Sequence, residues 1–431
     1  MAQPFYLEVA ALSQCTATTW PKEFQTKSHL IYSSPATLSF NSPGAEGFGV
    51  KRAALTMPES IMLLFSPGCC GRNTSAIGGP DSDYGRRTYY LLLDDTDIVT
   101  GRYLQRIVEA CEEIVTIATP KPQVIMLCST CVDALLGTDM QRLCRDAQAA
   151  TGCHVLAATM YALTREGHLP PMVGVRQTLY SLLEPKPKHA DTANILGFFT
   201  HLDDTCELYT LLHNSGIKHI YELGRMHSQK AYQAMAQANF NLVLHPEARH
   251  AANYLYDTLK IPAIELTRTY QLTKISQQYK LLGQILQVDF NLTPYAHAAQ
   301  ELAEQFSQDF RGASFAVGEG CNAKPFDLAL ALLRLGCKVP EIFAIPQSQD
   351  LAQLKALSQL SPTTRIYSNQ HPSMFFYQEN QDTPPIDFCI GKAARYYHPN
   401  SPGIDFSSEI QPFGFMGLMD LIKQLQTLNT K

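Results

Sequence analysis

"IMLLFSPGCCGRNTS", residues 61–75, sets five consecutive apolar residues in front of a proline, glycines and two adjacent cysteines. A short apolar run bounded by turn formers reads as a buried strand delivering its last residues into a loop. The same shape returns in "QVIMLC" at 123–128 and "CHVLAATM" at 153–160, and helix-length amphipathic runs, "GRYLQRIVEACEEIV" and "DMQRLCRDAQAAT", stand between. Strands alternating with helices are the pattern of parallel sheets covered by helices, so the fold class is α/β. The rhythm breaks at "LLEPKPKHADTAN", 182–194, where prolines and charge read as a linker. It resumes with strands "NILGFF", "KHIYEL", "FNLVLH" and "IPAIEL", separated by helices "TCELYTLLHNSG", "SQKAYQAMAQAN" and "EARHAANYLYDTLK". A long helical stretch near 273–311 leads to strands "SFAVG", "KVPEIFAI", "RIYS" and "IDFCIG" and to a closing helix, "GFMGLMDLIKQLQT". The expectation is three Rossmann-like units with parallel sheets flanked by helices, over 1–187, 188–290 and 291–431.

Composition narrows the function. Of 431 residues 45% are hydrophobic and 17% charged, which suits a large buried core. The net charge of -5, with no basic run, gives no electrostatic footing for nucleic acid as a partner. No stretch of about 18 apolar residues occurs, and the start "MAQPFYLEVAALSQC" lacks a basic leader before an apolar segment. The expectation is therefore a cytoplasmic protein with no membrane contact. In that setting its 12 cysteines read as reduced, buried, catalytic or metal-bound rather than paired.

Ligands of such sheets sit at the carboxyl ends of strands. Cys69 and Cys70 follow one apolar run, Cys128 ends another, and Cys131 completes "CSTC". If those two strands are neighbours, four sulfurs converge. Thiolates suit zinc and iron–sulfur clusters alike, and both readings stay open on the residues alone. An isolated cysteine such as Cys69 or Cys128 is otherwise a small buried hydrophobe. Cys111, Cys144, Cys153, Cys206, Cys337 and Cys389 fall inside helix or strand patterns and are read that way. A third loop, "GEGCNAKP" at 318–325, follows a strand and precedes a helix with Pro325 in its first turn. Its free N–H groups and Lys324 suit an anionic group, and Glu319, Cys321 and Lys324 are pocket candidates. The GxxxxGK[ST] spacing of a phosphate loop occurs nowhere in the chain.

"SPGCCG", "YGRRTYYLLLDDTDIVTGRYLQRIVEACEEI" and "PQVIMLCSTCVDALLGTDM" together resemble the catalytic component of nitrogenase and its relatives. The matches are Pro67 with Cys70, Asp97-Ile98-Val99 with Gly101, Ser129 with Cys131, and Gly137 with Asp139. The resemblance continues more weakly through "FNLVLHPEARHAANYLYDTLKIPAIEL", "KPFDLALALLRLGCKV" and "FGFMGLMDLI". It implies three α/β units, assembly with a second copy or a homologous subunit, and a bound iron–sulfur cluster, expected as [4Fe-4S]. It also implies electrons from a separate ATP-dependent iron–sulfur reductase, and a further metallocofactor or a tetrapyrrole substrate between the units. Cys70 and Cys131 take the family's ligand positions. The upstream stretch "FNSPGAEGFG" lacks the further cysteine that family members supply. That leaves Cys69, or ligands from a second subunit, to complete the set, with Asn41, Ser42 and Glu46 as weaker candidates. Where nitrogenase holds its large cofactor by a cysteine, this chain has His245, a metal ligand or a proton donor; His398 is the nearest counterpart to the family's late histidine. An electron-accepting reductase is the leading expectation. A scaffold for cofactor assembly, without turnover, and a structural zinc site are the rivals.

Overall fold

The structure is a computed structural model describing residues 3–16, 19–25, 34–41, 49–68, 83–130, 132–160, 167–379 and 382–428. Three sheets organise it. A short strand, β1 (Tyr6–Glu8), opens the chain, followed by β2 (Ser60–Pro67), β3 (Thr88–Leu93), β4 (Val124–Ser129) and β5 (His154–Thr159). The last four form one parallel sheet in the order β3-β2-β4-β5. Every residue of β2 from Ser60 to Ser66 and of β4 is buried, as the unbroken apolar runs require of strands covered on both faces. One covering helix, Tyr103–Ile117, buries Tyr103, Ile107, Cys111 and Ile114, a stripe three to four residues apart.

The second sheet comprises β6 (His189–Leu196), β7 (His219–Glu222), β8 (Ala238–Val243) and β9 (Ala263–Glu265), all parallel, in the order β7-β6-β8-β9. The third holds β10 (Ser314–Gly318), β11 (Lys338–Phe343), β12 (Arg365–Tyr367), β13 (Phe388–Ile390) and β14 (Gly403–Ile404). Its order is β1-β12-β11-β10-β13-β14, with β1 antiparallel at the edge and the rest parallel. The α/β class with parallel sheets and flanking helices is as the alternation implied.

Several local expectations are corrected. The linker expected over 182–194 is shorter, with 182–188 left outside any helix or strand, because β6 begins at His189. Its polar residues are internal partners: Asn194 Nδ2, fully buried, donates to Asn241 Oδ1 of β8 at 2.9 Å and to Met235 O at 3.0 Å. "TYYLLL" forms a further strand, β3, at the sheet's edge, half of it facing outward. "SQKAYQAMAQAN" forms one α-turn, Gln229–Tyr232, and a 3-10 turn, Gln233–Gln237. The helical stretch 273–311 is two helices, Leu272–Leu286 and Thr293–Asp309. Tyr6–Glu8 pairs with Arg365–Tyr367, so the chain's first strand completes the last sheet.

The units are fastened by buried polar groups at their joints. Glu207, 1% exposed, accepts from Phe415 N (2.6 Å), Met416 N (3.1 Å) and Tyr279 Oη (2.8 Å), tying the second unit to the first turn of the closing helix, Gly414–Gln426. Asp327 in the helix Pro325–Arg334 accepts from Thr269 Oγ1 at 2.8 Å and Tyr270 N at 3.2 Å, anchoring the third unit to the segment after β9.

Candidate functional sites at the strand carboxyl ends

In the first sheet β2 and β4 are hydrogen-bonded neighbours, with Leu64 opposite Cys128 and Phe65 opposite Ser129. Their carboxyl ends therefore deliver the segments after residues 67 and 129 side by side. Cys69, Cys70 and Cys131 lie outside the described residues, as do Ser42 and Glu46. Cys128 is fully buried and faces the same core as Met62, Leu64, Met126, Ala53 and Ala54. Burial pushes its thiol up to about 12, against the pull of the nearby Lys51 ammonium. Lys51 is itself lowered to about 8 by burial. A cluster ligand must be a thiolate, so these surroundings suit Cys128 to packing better than to ligation. The adjacent strand ends fit a cluster held by the loops they feed, with the lysine beside them favouring negative charge.

The second site forms where the ends of β6 and β8 meet the third unit. His245 follows β8 by two residues and caps the 3-10 turn Pro246–Ala248, its Nδ1 accepting from Glu247 N at 3.3 Å. Gly197, just past β6, has φ +133°, and a Cβ there would lie 2.7 Å from the His245 nitrogen, so only glycine permits this approach. Phe198 sets its ring edge-on to His245, with centroids 6.0 Å apart. Two arginines bracket this loop. Arg176, 8% exposed, comes from the helix Pro171–Thr178; it donates Nε to Gly197 O (3.1 Å) and Nη1 to Glu247 Oε2 (2.5 Å), and lies 4.3 Å over the Phe199 ring. Arg268 lies 4.1 Å over Phe198 and donates Nη1 to Asn322 O and Nη2 to Gln411 Oε1, both at 2.7 Å, so it joins second and third units. Burial, then the charges of Arg176, Arg268 and Lys324, hold the His245 imidazole neutral, down to about 3.

Lys324 caps the helix Pro325–Arg334 from the 318–325 loop. Glu319 turns away toward its own sheet, accepting from Asn369 Nδ2 at 2.9 Å and Ile345 N at 3.2 Å, and burial raises its carboxyl. Cys321 donates Sγ to Gly318 O and Ala323 O at 3.5 Å, and burial lifts its thiol to about 11. The fold brings His245 and Lys324 toward one junction, whereas Glu319 bonds to Asn369 and Ile345 and Cys321 to its own loop. His398 is fully buried, its Nε2 2.8 Å from Glu341 Oε2 and 2.9 Å from Tyr377 Oη. It ends the helix Lys392–Tyr397, whose amino end, through Gly391 and Ala393 N, is the one that touches the β10 end at Glu319. The sequence reading missed Arg176 and Arg268: lone arginines outside any motif, which only the fold brings to His245.

With this geometry in place, the family model described as nitrogenase component 1 type oxidoreductase matches residues 46–428. The chain belongs to that family. Among curated relatives, it is 26% identical over 215 residues to the nitrogenase iron-molybdenum cofactor biosynthesis protein NifE of Klebsiella pneumoniae, covering 46% of each chain. It is 29% identical over 162 residues to a subunit of the light-independent protochlorophyllide reductase of Nephroselmis olivacea, covering 34% of this chain and 30% of that one. The chain thus matches under half the length of these relatives. A solved structure titled Nitrogenase Cp1 at pH 6.5 superposes with a TM-score of 0.68 over 94% of each chain at 15% identity, a likeness of fold.

The nitrogenase-component residues that carry the resemblance have evident structural work. Asp94 and Asp97 form a reciprocal capping box, and Gly101 ends that helix at φ +73°. Buried Asp97 is also paired with Arg102 at 2.8 Å and with Arg106. Gly137 sits at φ +61°, and Asp139 caps the helix Met140–Thr151 through Arg142 N. These residues set the turns after β3 and before the helix Met140–Thr151. Among the described residues no helix is long and apolar enough to cross a membrane.

Proposed function

We propose that the chain is a redox subunit of the nitrogenase component 1 type, loaded with electrons by a separate ATP-dependent iron–sulfur reductase and acting on a ligand held at the junction of the second and third units. The observation that carries this reading is the pairing of β2 with β4, which sends the segments bearing Cys69, Cys70 and Cys131 out from adjacent strand ends. Cys70 and Cys131 would hold an iron–sulfur cluster, expected as [4Fe-4S], with Cys69 or a neighbouring subunit completing the ligands. Such a cluster supplies one-electron transfer. This chain's own part is to keep the site dry on the sheet side, through Phe65, Leu127 and Ser129, and to stabilise anionic charge through Lys51. At the junction, Arg176 and Gly197 fix the loop and His245, while Arg268 and Lys324 present positive charge to the ligand.

A second reading is favoured by the name of the Klebsiella relative: a scaffold on which a metallocofactor is completed and handed on. The two differ in turnover. The protein, purified without oxygen, would be mixed with a cognate reductase, MgATP and dithionite, and candidate tetrapyrrole and small sulfur- or nitrogen-containing substrates would be followed. Multiple turnovers that vanish in Cys131→Ala support the reductase. One cofactor equivalent processed per site and then passed to another protein supports the scaffold.

A further inference from the structure

The geometry points to an oxyanion-binding floor at His245, Arg268 and Lys324, where His245 serves as a neutral Nε2–H donor to a carboxylate or phosphate group of the ligand and does not ligate metal. This rests on the junction being the ligand site and names what it recognises there.

The argument begins with a proton. A backbone N–H can only donate, and Glu247 N donates to His245 Nδ1 at 3.3 Å. Nδ1 is thus the bare nitrogen, and the neutral ring carries its hydrogen on Nε2. Metal ligation through Nε2 would require the opposite tautomer, with Nδ1–H pointed at another N–H. The ring remains reachable, its side chain 37% exposed.

Charge gives the ligand's sign. Glu247 Oε2 lies 3.9 Å from Nδ1, but Arg176 holds that oxygen at 2.5 Å. Arg268 spends its Nη groups on two neutral oxygens, Asn322 O and Gln411 Oε1, and its Nε, shielded from water, has no hydrogen-bond partner. Among the described residues nothing pairs with the Lys324 ammonium, though it is near enough to influence both His245 and Asp350. Asp350 already accepts from Gln347 N at 2.8 Å. A guanidinium whose Nη groups meet neutral oxygens, an ammonium with no carboxylate at ion-pair distance among the described residues and an N–H donor are what an oxyanion requires. The structure contains no three-ligand His, Cys, Asp or Glu group for a metal among its described residues.

The test needs neither cluster nor turnover, so its failure is separable from failure of the redox reading. Full-length protein labelled with nitrogen-15 histidine would be titrated with citrate and, separately, inorganic phosphate, by calorimetry and NMR. The His245 resonances should show protonated Nε2 and bare Nδ1 before and after saturation. Affinity should fall roughly 10-fold or more in Lys324→Gln and His245→Ala, the scale of one charge-assisted bond, and recover partly in His245→Gln, whose amide can donate. Tighter citrate binding assigns a carboxylate and tighter phosphate a phosphoryl group. Equal affinity in Lys324→Gln, His245→Ala and wild type at an unchanged melting temperature overturns the proposal. So does a Zn²⁺ titration that moves His245 Nε2 into direct coordination.

Discussion

Replacing Arg176 by methionine tests how the first unit's last helix sets the geometry at His245. Methionine keeps the apolar stem but removes the guanidinium. Gly197 O, buried, then loses the Arg176 Nε donor, at a cost of about 1–2 kcal/mol. The Glu247 carboxylate is 42% exposed and rehydrates, so the lost ion pair counts for only about 1 kcal/mol. Loss of the contact over the Phe199 ring adds about 0.5–1 kcal/mol. Met172 O belongs to a helix carbonyl ladder and adds little. The sum, about 3 kcal/mol, should lower the melting transition of the second unit by roughly 12–24 °C, at about 4–8 °C per kcal/mol for a unit of this size. Calorimetry reads the shift. Hydrogen exchange should quicken at 195–201 and 245–249 while the β10–β11 core stays protected. An Arg176→Met protein melting within about 1 °C of wild type, with unchanged exchange in those two segments, would refute the staple and with it the reasoning that fixes His245.

Other outcomes follow from the same contacts. Glu207→Ala leaves Phe415 N, Met416 N and Tyr279 Oη without their acceptor and should cost about 3 kcal/mol, seen as early release of the closing helix in hydrogen exchange. His245 is neutral in the folded chain down to about 3 but protonates near 6.5 when unfolded, so its contribution is present above about 6.5 and lost as pH falls toward 3. Wild type should therefore lose more stability than His245→Gln between pH 7 and pH 5 in chemical denaturation. With few certain ligands in one chain, iron chelation should dissociate oligomers in ultracentrifugation; unchanged association would place all ligands within one chain.

The fold was legible where burial is uniform. The runs at 61–65 and 124–128 are apolar throughout because their strands are covered on both faces, while their adjacency in the sheet was left open by the sequence. It was illegible at 189–193, where His189, Asp191 and Thr192 break any apolar run although β6 has already begun. It was illegible again at Tyr6–Glu8, whose partner strand lies more than 350 residues away in sequence. The junction was half legible: a histidine at a strand end and a lysine before a helix carry local cues. Arg176 and Arg268 carry none, since their role depends on Gly197 and Phe198 being brought to them by the packing of two units. The partners of Glu319, which are Asn369 and Ile345, were illegible because they lie 50 and 26 residues away in sequence.

The most direct measurement is metal and spectral analysis of protein purified without oxygen, for wild type, Cys70→Ala, Cys131→Ala, Cys69→Ala and Cys128→Ala. The account predicts iron with sulfide, broad visible absorption that bleaches on reduction, and loss of most iron in Cys70→Ala and Cys131→Ala. Cys128→Ala should keep its iron, since that thiol is buried among methionines and leucines. Zinc in place of iron, or equal iron in wild type and in the Cys70 and Cys131 variants, would contradict it.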